Sequence, residues 1–202
     1  MLAISICILD SIYAQPAPQI IFFFYLYSNG KDLKCQYNYG FGNPYLKIGP
    51  YKEEEAALSP RIVIFHDVAS EADIEMIKTR ATPRFKRATV QNYKTGELET
   101  AMYRISKTAW LKPEEDIRIA NIYKRVASIT RLNMETSEEL QVSNYGIGGH
   151  YEPHFDFARR EEKNAFASLG TGNRIATWLF YVSLKFIYLF THFNLGFFEK
   201  KL

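Results

Sequence analysis

The stretch Asn144–Arg160, NYGIGGHYEPHFDFARR, decides how the rest of the chain is read. It holds two of the four histidines, His150 and His154, and places Asp156 two residues after the second. On a β-strand, residues two apart point to the same face. The spacing therefore predicts an imidazole and a carboxylate side by side, with Phe155 turned away into packing. Such a pair is two parts of the two-histidine, one-carboxylate set that holds Fe(II) and leaves coordination positions open. Gly146, Gly148 and Gly149 permit a tight turn ahead of the ligand segment. Pro153 has no N–H to give to a ladder and fixes the entry angle. By itself, a His-x-Asp pair is also a common surface ion pair, and the spacing alone leaves both readings open.

Outward from the motif, ELQVSNY (Glu139–Tyr145) predicts a strand leading into it, and NRIATWLFYVS (Asn173–Ser183) predicts another after it. RIVIFHDV (Arg61–Val68) has the β-branched and aromatic content of a buried strand. Ser70 followed by Asp73 is a capping-box start for a helix to about Ala81, with Ile74 and Ile77 on one face and Pro83 ending it. Thr95-Gly96 between two strand-like runs predicts a hairpin. Pro113 suits a first helical turn. Ile119, Ile122, Val126 and Ile129, spaced three, four and three, predict an amphipathic helix to about Arg131. NGKDLKCQYNYGFGNPYLKIGPYKEEE reads as an irregular lead-in. The order of elements predicts an α+β, mainly β domain with helices packed outside.

The chain has 202 residues, 47% apolar and 23% charged, an ordinary globular mix. A net charge of +3 gives no strong case for nucleic acid or an anionic membrane. The two cysteines, Cys7 and Cys35, are too few for a disulfide framework and fit no metal-binding spacing. Residues 1–32 form an atypical apolar segment. Within it, Leu2–Leu9 and Ala14 resemble a secretory signal without its basic start, or else an arbitrary apolar run. Residues 182–202 form an apolar, aromatic tail whose length and polar interruptions make a poor transmembrane span.

ELQVSNYGIGGHYEPHFDFAR and LGTGNRIATWLFY closely resemble the catalytic domain of the collagen prolyl 4-hydroxylase alpha subunits. PRIVIFHDVASEADIEMIK, RFKRATV, TGELET, YRISKTAWL and TSEELQVSNYG resemble successive segments of that domain in the same order. The resemblance covers residues 33–181, about three-quarters of the chain. It implies a double-stranded β-helix, or jelly roll, with flanking N-terminal helices, incomplete at the C-terminal end. It also implies a dioxygenase that uses Fe(II), 2-oxoglutarate, O2 and L-ascorbate to hydroxylate proline in X-Pro-Gly repeats of procollagen-like peptides. The family works in the endoplasmic reticulum lumen, with protein disulfide isomerase as beta subunit. By this resemblance His154 and Asp156 match the first two iron ligands. Tyr145 and Tyr181 sit where related dioxygenases place tyrosines near 2-oxoglutarate, against the alternative of aromatic packing on a core strand.

After ATWLFY the sequence departs from the family, which continues into strands carrying a distal histidine and a lysine for the 2-oxoglutarate carboxylate. His192, Lys200 and Lys201 lie in no matching context. His150 reads as an exposed turn residue, His66 as a structural histidine and Arg159 as a surface charge; Arg174, like Arg159, is conceivable as an anion partner. The alternative function is therefore a non-catalytic chain, a truncated isoform or gene-model fragment that keeps weak metal or subunit binding. A cupin-type jelly-roll module is a further alternative.

Overall fold

The computed structural model describes residues 2–9, 33–92, 95–160, 162, 166, 170–182 and 196–198. In chain order the strands are β1 (Leu2–Leu9), β2 (Cys35–Asn38), β3 (Tyr51–Leu58), β4 (Arg61–Phe65), β5 (Lys86–Arg87), β6 (Val90–Gln91) and β7 (Leu98–Glu99). They continue with β8 (Arg104–Ile105), β9 (Lys107–Leu111), β10 (Leu140–Tyr145), β11 (His150–Tyr151), β12 (Ala176–Tyr181) and β13 (Gly196–Phe198). The helices are α1 (Pro44–Ile48), α2 (Glu71–Ala81) and α3 (Ile117–Thr130). Nine strands form one sheet in the order β2-β3-β4-β13-β12-β1-β10-β9-β5, and β11-β8 and β6-β7 form two-stranded ladders. The class is α+β with mainly antiparallel pairing.

Both long helices form where the sequence predicts them. Ser70 and Asp73 make the reciprocal capping box of α2, the Asp73 amide donating to Ser70 Oγ at 3.2 Å and the Ser70 amide to Asp73 Oδ2 at 3.0 Å. Helix α3 buries Ile119, Ile122, Val126 and Ile129, the 3-4-3 row read from the sequence, together with Tyr123. Each fully buried isoleucine contributes about 1.5–3 kcal/mol. The helix stops at Arg131, whose φ of 61° ends the right-handed spiral. Arg125 on α3 reaches across to Asp73 Oδ2 at 2.8 Å and to the Val68 carbonyl, so one guanidinium ties the two helices to the end of the strand segment.

These helices cover one face of the sheet. Val63 and Phe65 of β4, Leu111 of β9, Leu140 and Val142 of β10, and Trp178 and Phe180 of β12 join the α3 isoleucines in one core. Trp178 stacks on Phe65 with centroids 5.1 Å apart. Strand pleating sends the alternate residues, Gln141, Ser143 and Tyr145 of β10 and Thr177, Leu179 and Tyr181 of β12, to the opposite face. That second face carries the candidate site.

Three segments differ from the sequence expectation. The supposed irregular lead-in holds β2, α1 and β3. YKEEEAAL makes a poor strand by propensity, but Glu53 is buried because Asn38 Nδ2 and Gln36 Nε2 donate to its carboxylate from β2 at 2.7 and 3.2 Å. Leu2–Leu9 forms β1, parallel to both β10 and β12. Its isoleucines alternate with small residues, and Ile4 and Ile6 fall in register with Trp178 and Phe180. From the tail, Gly196–Phe198 pairs with β12 and β4; the rest of the tail, with His192, Lys200 and Lys201, lies outside the described residues.

Candidate metal centre

Strand β10 delivers the chain to the turn Gly146–Gly149, closed by the Gly149 amide donating to the Gly146 carbonyl at 2.8 Å. Gly148 takes φ +75°, the left-handed region that glycine adopts without a Cβ penalty. Gly149 is needed for a different reason. A Cβ there would stand 2.9 Å from the carbonyl oxygens of both Gly146 and Ile105. Strand β11 follows, His150 paired with Ile105 and Tyr151 with Arg104.

His154 and Asp156 were expected on a strand. They lie instead in the irregular segment after β11. Pro153 has no N–H for a ladder, and pairing ends with the Glu152 amide donating to the Tyr103 carbonyl at 2.9 Å. The two side chains nevertheless meet, His154 Nε2 lying 3.2 Å from Asp156 Oδ1. His154 Nδ1 lies 2.8 Å from the Glu152 carbonyl, which only accepts, so Nδ1 carries the proton. Nε2 faces a carboxylate oxygen, so it donates a hydrogen bond in the imidazolium form and offers a lone pair to a cation only when that proton leaves. Two acceptors at that distance need a proton or a cation between them. Burial pushes the imidazole pKa down, but the hydrogen bonds to Asp156 and Glu152 outweigh it and hold the value above the ordinary one. Burial pushes the Asp156 carboxyl up, and its bonds from His154 and Thr177 with the Arg174 charge outweigh that and hold it below the ordinary range.

Tyr151 stacks on the His154 ring with centroids 3.7 Å apart, and the Arg104 guanidinium lies 4.8 Å over the far side of Tyr151. Arg104 is held by the Thr89 carbonyl at 2.9 Å and Gln141 Oε1 at 3.0 Å. The imidazole plane is thus set by a column running back to β10. After Asp156, Asn173 exchanges two hydrogen bonds with the Ala158 backbone, at 2.8 and 2.9 Å, and joins the ligand segment to the start of β12.

The other candidate residues fall as follows. Phe155 is 64% exposed rather than packed into a core, and lies against Phe157 and Arg159 on the surface. Tyr145 and Tyr181 stand at the ends of the parallel strands β10 and β12, on the face that carries Thr177; Tyr181 is four residues, about 13 Å of strand, beyond it. His150 is exposed with its ring on the Gly148 carbonyl, and His66 approaches Glu54 at 3.4 Å. Arg159 is exposed and pairs with Glu162. Arg174 points inward. Sequence reasoning did not single out Tyr151, Glu138 or Thr177; the one available signal was a threonine at a strand position that alternation assigns to the Asp156 side. Among the described residues no third His, Cys, Asp or Glu joins the pair. An open cleft of about 520 Å³ lies elsewhere, over β2 and β3 between Cys35 and Asp67, and takes no part in this chemistry.

An imidazole with Nδ1–H held on the backbone beside an aspartate, on a mainly antiparallel α+β scaffold, brings together one nitrogen and one oxygen donor, the donor types found in divalent-cation sites. No family model matches the chain. It is 55% identical over 153 residues to mouse prolyl 4-hydroxylase subunit alpha-1 and 54% identical over 153 residues to the human alpha-1 subunit, in each case 76% of this chain and 29% of the relative. It is 60% identical over 140 residues to prolyl 4-hydroxylase subunit alpha-2 of Caenorhabditis elegans, 69% of this chain and 26% of that one. Over the matched stretch the chain belongs to the prolyl 4-hydroxylase alpha-subunit family, and it spans less than a third of the length of these relatives. Among the described residues no helix is long and apolar enough to cross a membrane.

Proposed function

We propose that this chain carries the metal-binding part of an Fe(II)- and 2-oxoglutarate-dependent procollagen-proline 4-dioxygenase domain, built on an incomplete double-stranded β-helix. The observation that carries the reading is the side-by-side placement of the two donors: Nδ1–H is held on the Glu152 carbonyl and Nε2 lies 3.2 Å from Asp156 Oδ1, so a cation would take the place of the proton between them. Family membership supports the identity of the metal and cosubstrate.

His154 would donate Nε2 and Asp156 a carboxylate oxygen to Fe(II). When bound, the metal with 2-oxoglutarate supplies the oxidative power for proline hydroxylation, and L-ascorbate serves as reductant. The protein residues set geometry. Tyr151 holds the imidazole plane, and Tyr145 and Tyr181 are the proposed hydroxyl contacts to 2-oxoglutarate from the same sheet face. Exposed Phe155 and Ile147 beside the motif offer apolar contact to a proline-rich, procollagen-like substrate. Residues 33–181 are the proposed domain unit. The proposed setting is the endoplasmic reticulum lumen, with protein disulfide isomerase as beta subunit.

A second reading is a non-catalytic chain that binds metal weakly. It is favoured by the two-residue ligand group among the described residues and by the departure of the tail from the family's distal histidine and lysine.

The experiment is anaerobic titration with Mn(II), with and without 2-oxoglutarate, followed by 2-oxoglutarate turnover with Fe(II) and a (Pro-Pro-Gly)n peptide. The dioxygenase reading expects metal binding that tightens with 2-oxoglutarate, and succinate release. Binding without turnover supports the second reading. Metal binding unchanged by His154→Ala would remove both.

A further inference from the structure

Asp156 is the more elaborately held of the two proposed ligands. Thr177 on β12 is 5% exposed and donates its hydroxyl to Asp156 Oδ2 at 2.8 Å. Arg174 donates to the Asp156 backbone carbonyl at 3.2 Å and lies 3.8 Å from Oδ1. Arg174 is itself clamped by Glu138, Nε to Oε1 and Nη2 to Oε2, the second at 2.8 Å, and stacks over Phe166. Glu138 belongs to the segment before β10, whose backbone is fixed to α3 by Tyr123 donating to the Glu138 carbonyl at 2.9 Å.

Strand propensity admits threonine and valine alike at position 177, so it does not decide between them. The site is almost fully buried between Ala176 and Trp178 of the core strand, where valine has the same shape and avoids burying a hydroxyl. The hydroxyl is satisfied by the carboxylate alone among the bonds it donates here. It takes up Oδ2 and leaves Oδ1 as the oxygen turned to His154 Nε2.

We propose that Thr177, and behind it the Glu138–Arg174 pair, are positioning residues that preset Asp156 so that one carboxylate oxygen faces His154 Nε2 before any cation arrives. This rests on the metal-binding reading above. Groups that orient a metal ligand from behind commonly change affinity 10- to 100-fold when removed.

The test is Mn(II) titration, by isothermal calorimetry or by electron paramagnetic resonance of the free ion, on the whole chain and four variants, with far-ultraviolet dichroism and melting to check folding. Thr177→Val keeps the shape and removes the hydroxyl; its Kd is expected to rise at least 10-fold, with the melting curve unchanged. Thr177→Ser restores the hydroxyl and is expected to stay within about 3-fold of the parent. Glu138→Gln keeps the packing and weakens the clamp, and its Kd is expected to rise as well. His154→Ala is the control for the reading itself. If His154→Ala loses binding while Thr177→Val and Glu138→Gln bind like the parent, the positioning proposal is overturned and the metal site stands. If His154→Ala binds like the parent, the metal site itself falls. Should Thr177→Val not fold, Glu138→Gln with Thr177→Ser decides: weak binding by the first and parental binding by the second upholds the proposal, and parental binding by both overturns it.

Discussion

Asp73→Ala is expected to destabilise the fold by about 2–4 kcal/mol at neutral pH, the loss of a helix cap together with a charge-assisted hydrogen bond. Asp73 is 6% exposed and serves two structures at once. It caps α2 through Ser70 and accepts Arg125 from α3 at 2.8 Å. Without it, Arg125 keeps the Val68 carbonyl but loses its countercharge at a half-buried position. Urea unfolding followed by circular dichroism measures the loss.

The pH dependence follows from the same contacts. Burial pushes the Asp73 carboxyl up, but the Arg125 and Ser70 hydrogen bonds outweigh it, so the folded-state value lies below the ordinary one. A carboxylate lowered on folding stabilises the protein above its unfolded pKa of about 3.9 and loses that contribution as pH falls through the folded value. The gap between parent and variant is therefore expected to be constant from pH 7 to about 5 and to close below about 3.9. A gap of under 1 kcal/mol at pH 7, or one that widens in acid, would show that Asp73 acts only as a surface-type cap.

Gly149→Ala is the second large effect. The added Cβ would meet the Gly146 and Ile105 carbonyl oxygens at 2.9 Å. Both are backbone, and both belong to structure the motif depends on: the turn that closes on Gly146 and the β8–β11 ladder that pairs Ile105 with His150. Neither can swing aside as a side chain does. Overpacking of this kind costs about 1–3 kcal/mol. The displacement passes directly to Tyr151 and His154, so Mn(II) affinity is expected to fall with stability. Gly146→Ala is the matched control, because a Cβ there meets nothing within 4 Å and φ is not positive. Parental melting and parental Mn(II) binding in Gly149→Ala would contradict the close approach.

The helices show why some of this fold is legible from the chain. Their signals are local: a serine and an aspartate three apart bond each other, and isoleucines at 3-4-3 spacing share a face without reference to anything distant. The same holds for the strands Arg61–Phe65, Leu140–Tyr145 and Ala176–Tyr181, whose bulky apolar residues suit burial wherever the sheet forms. YKEEEAAL is the opposite case. Glu53 becomes a strand residue in the interior only because Asn38 and Gln36 arrive from β2 to receive its carboxylate. Leu2–Leu9 has an alternating pattern, but the pattern does not say that its place is between β10 and β12.

The candidate site divides along the same line. His154 and Asp156 are two residues apart, near enough in the chain for their side chains to meet, and the family motifs around them are contiguous in the chain. That much belongs to the sequence. Tertiary structure alone decides which nitrogen of His154 rests on the backbone and which faces Asp156, because that depends on the path of the backbone after Pro153. It alone decides what holds Asp156, because Glu138, Arg174 and Thr177 lie 18 or more residues away and converge only when β10 and β12 share a sheet. Short-range hydrogen bonds and periodicity are written in adjacent residues, whereas the orientation of a carboxylate is set by donors that the chain must fold to bring within reach.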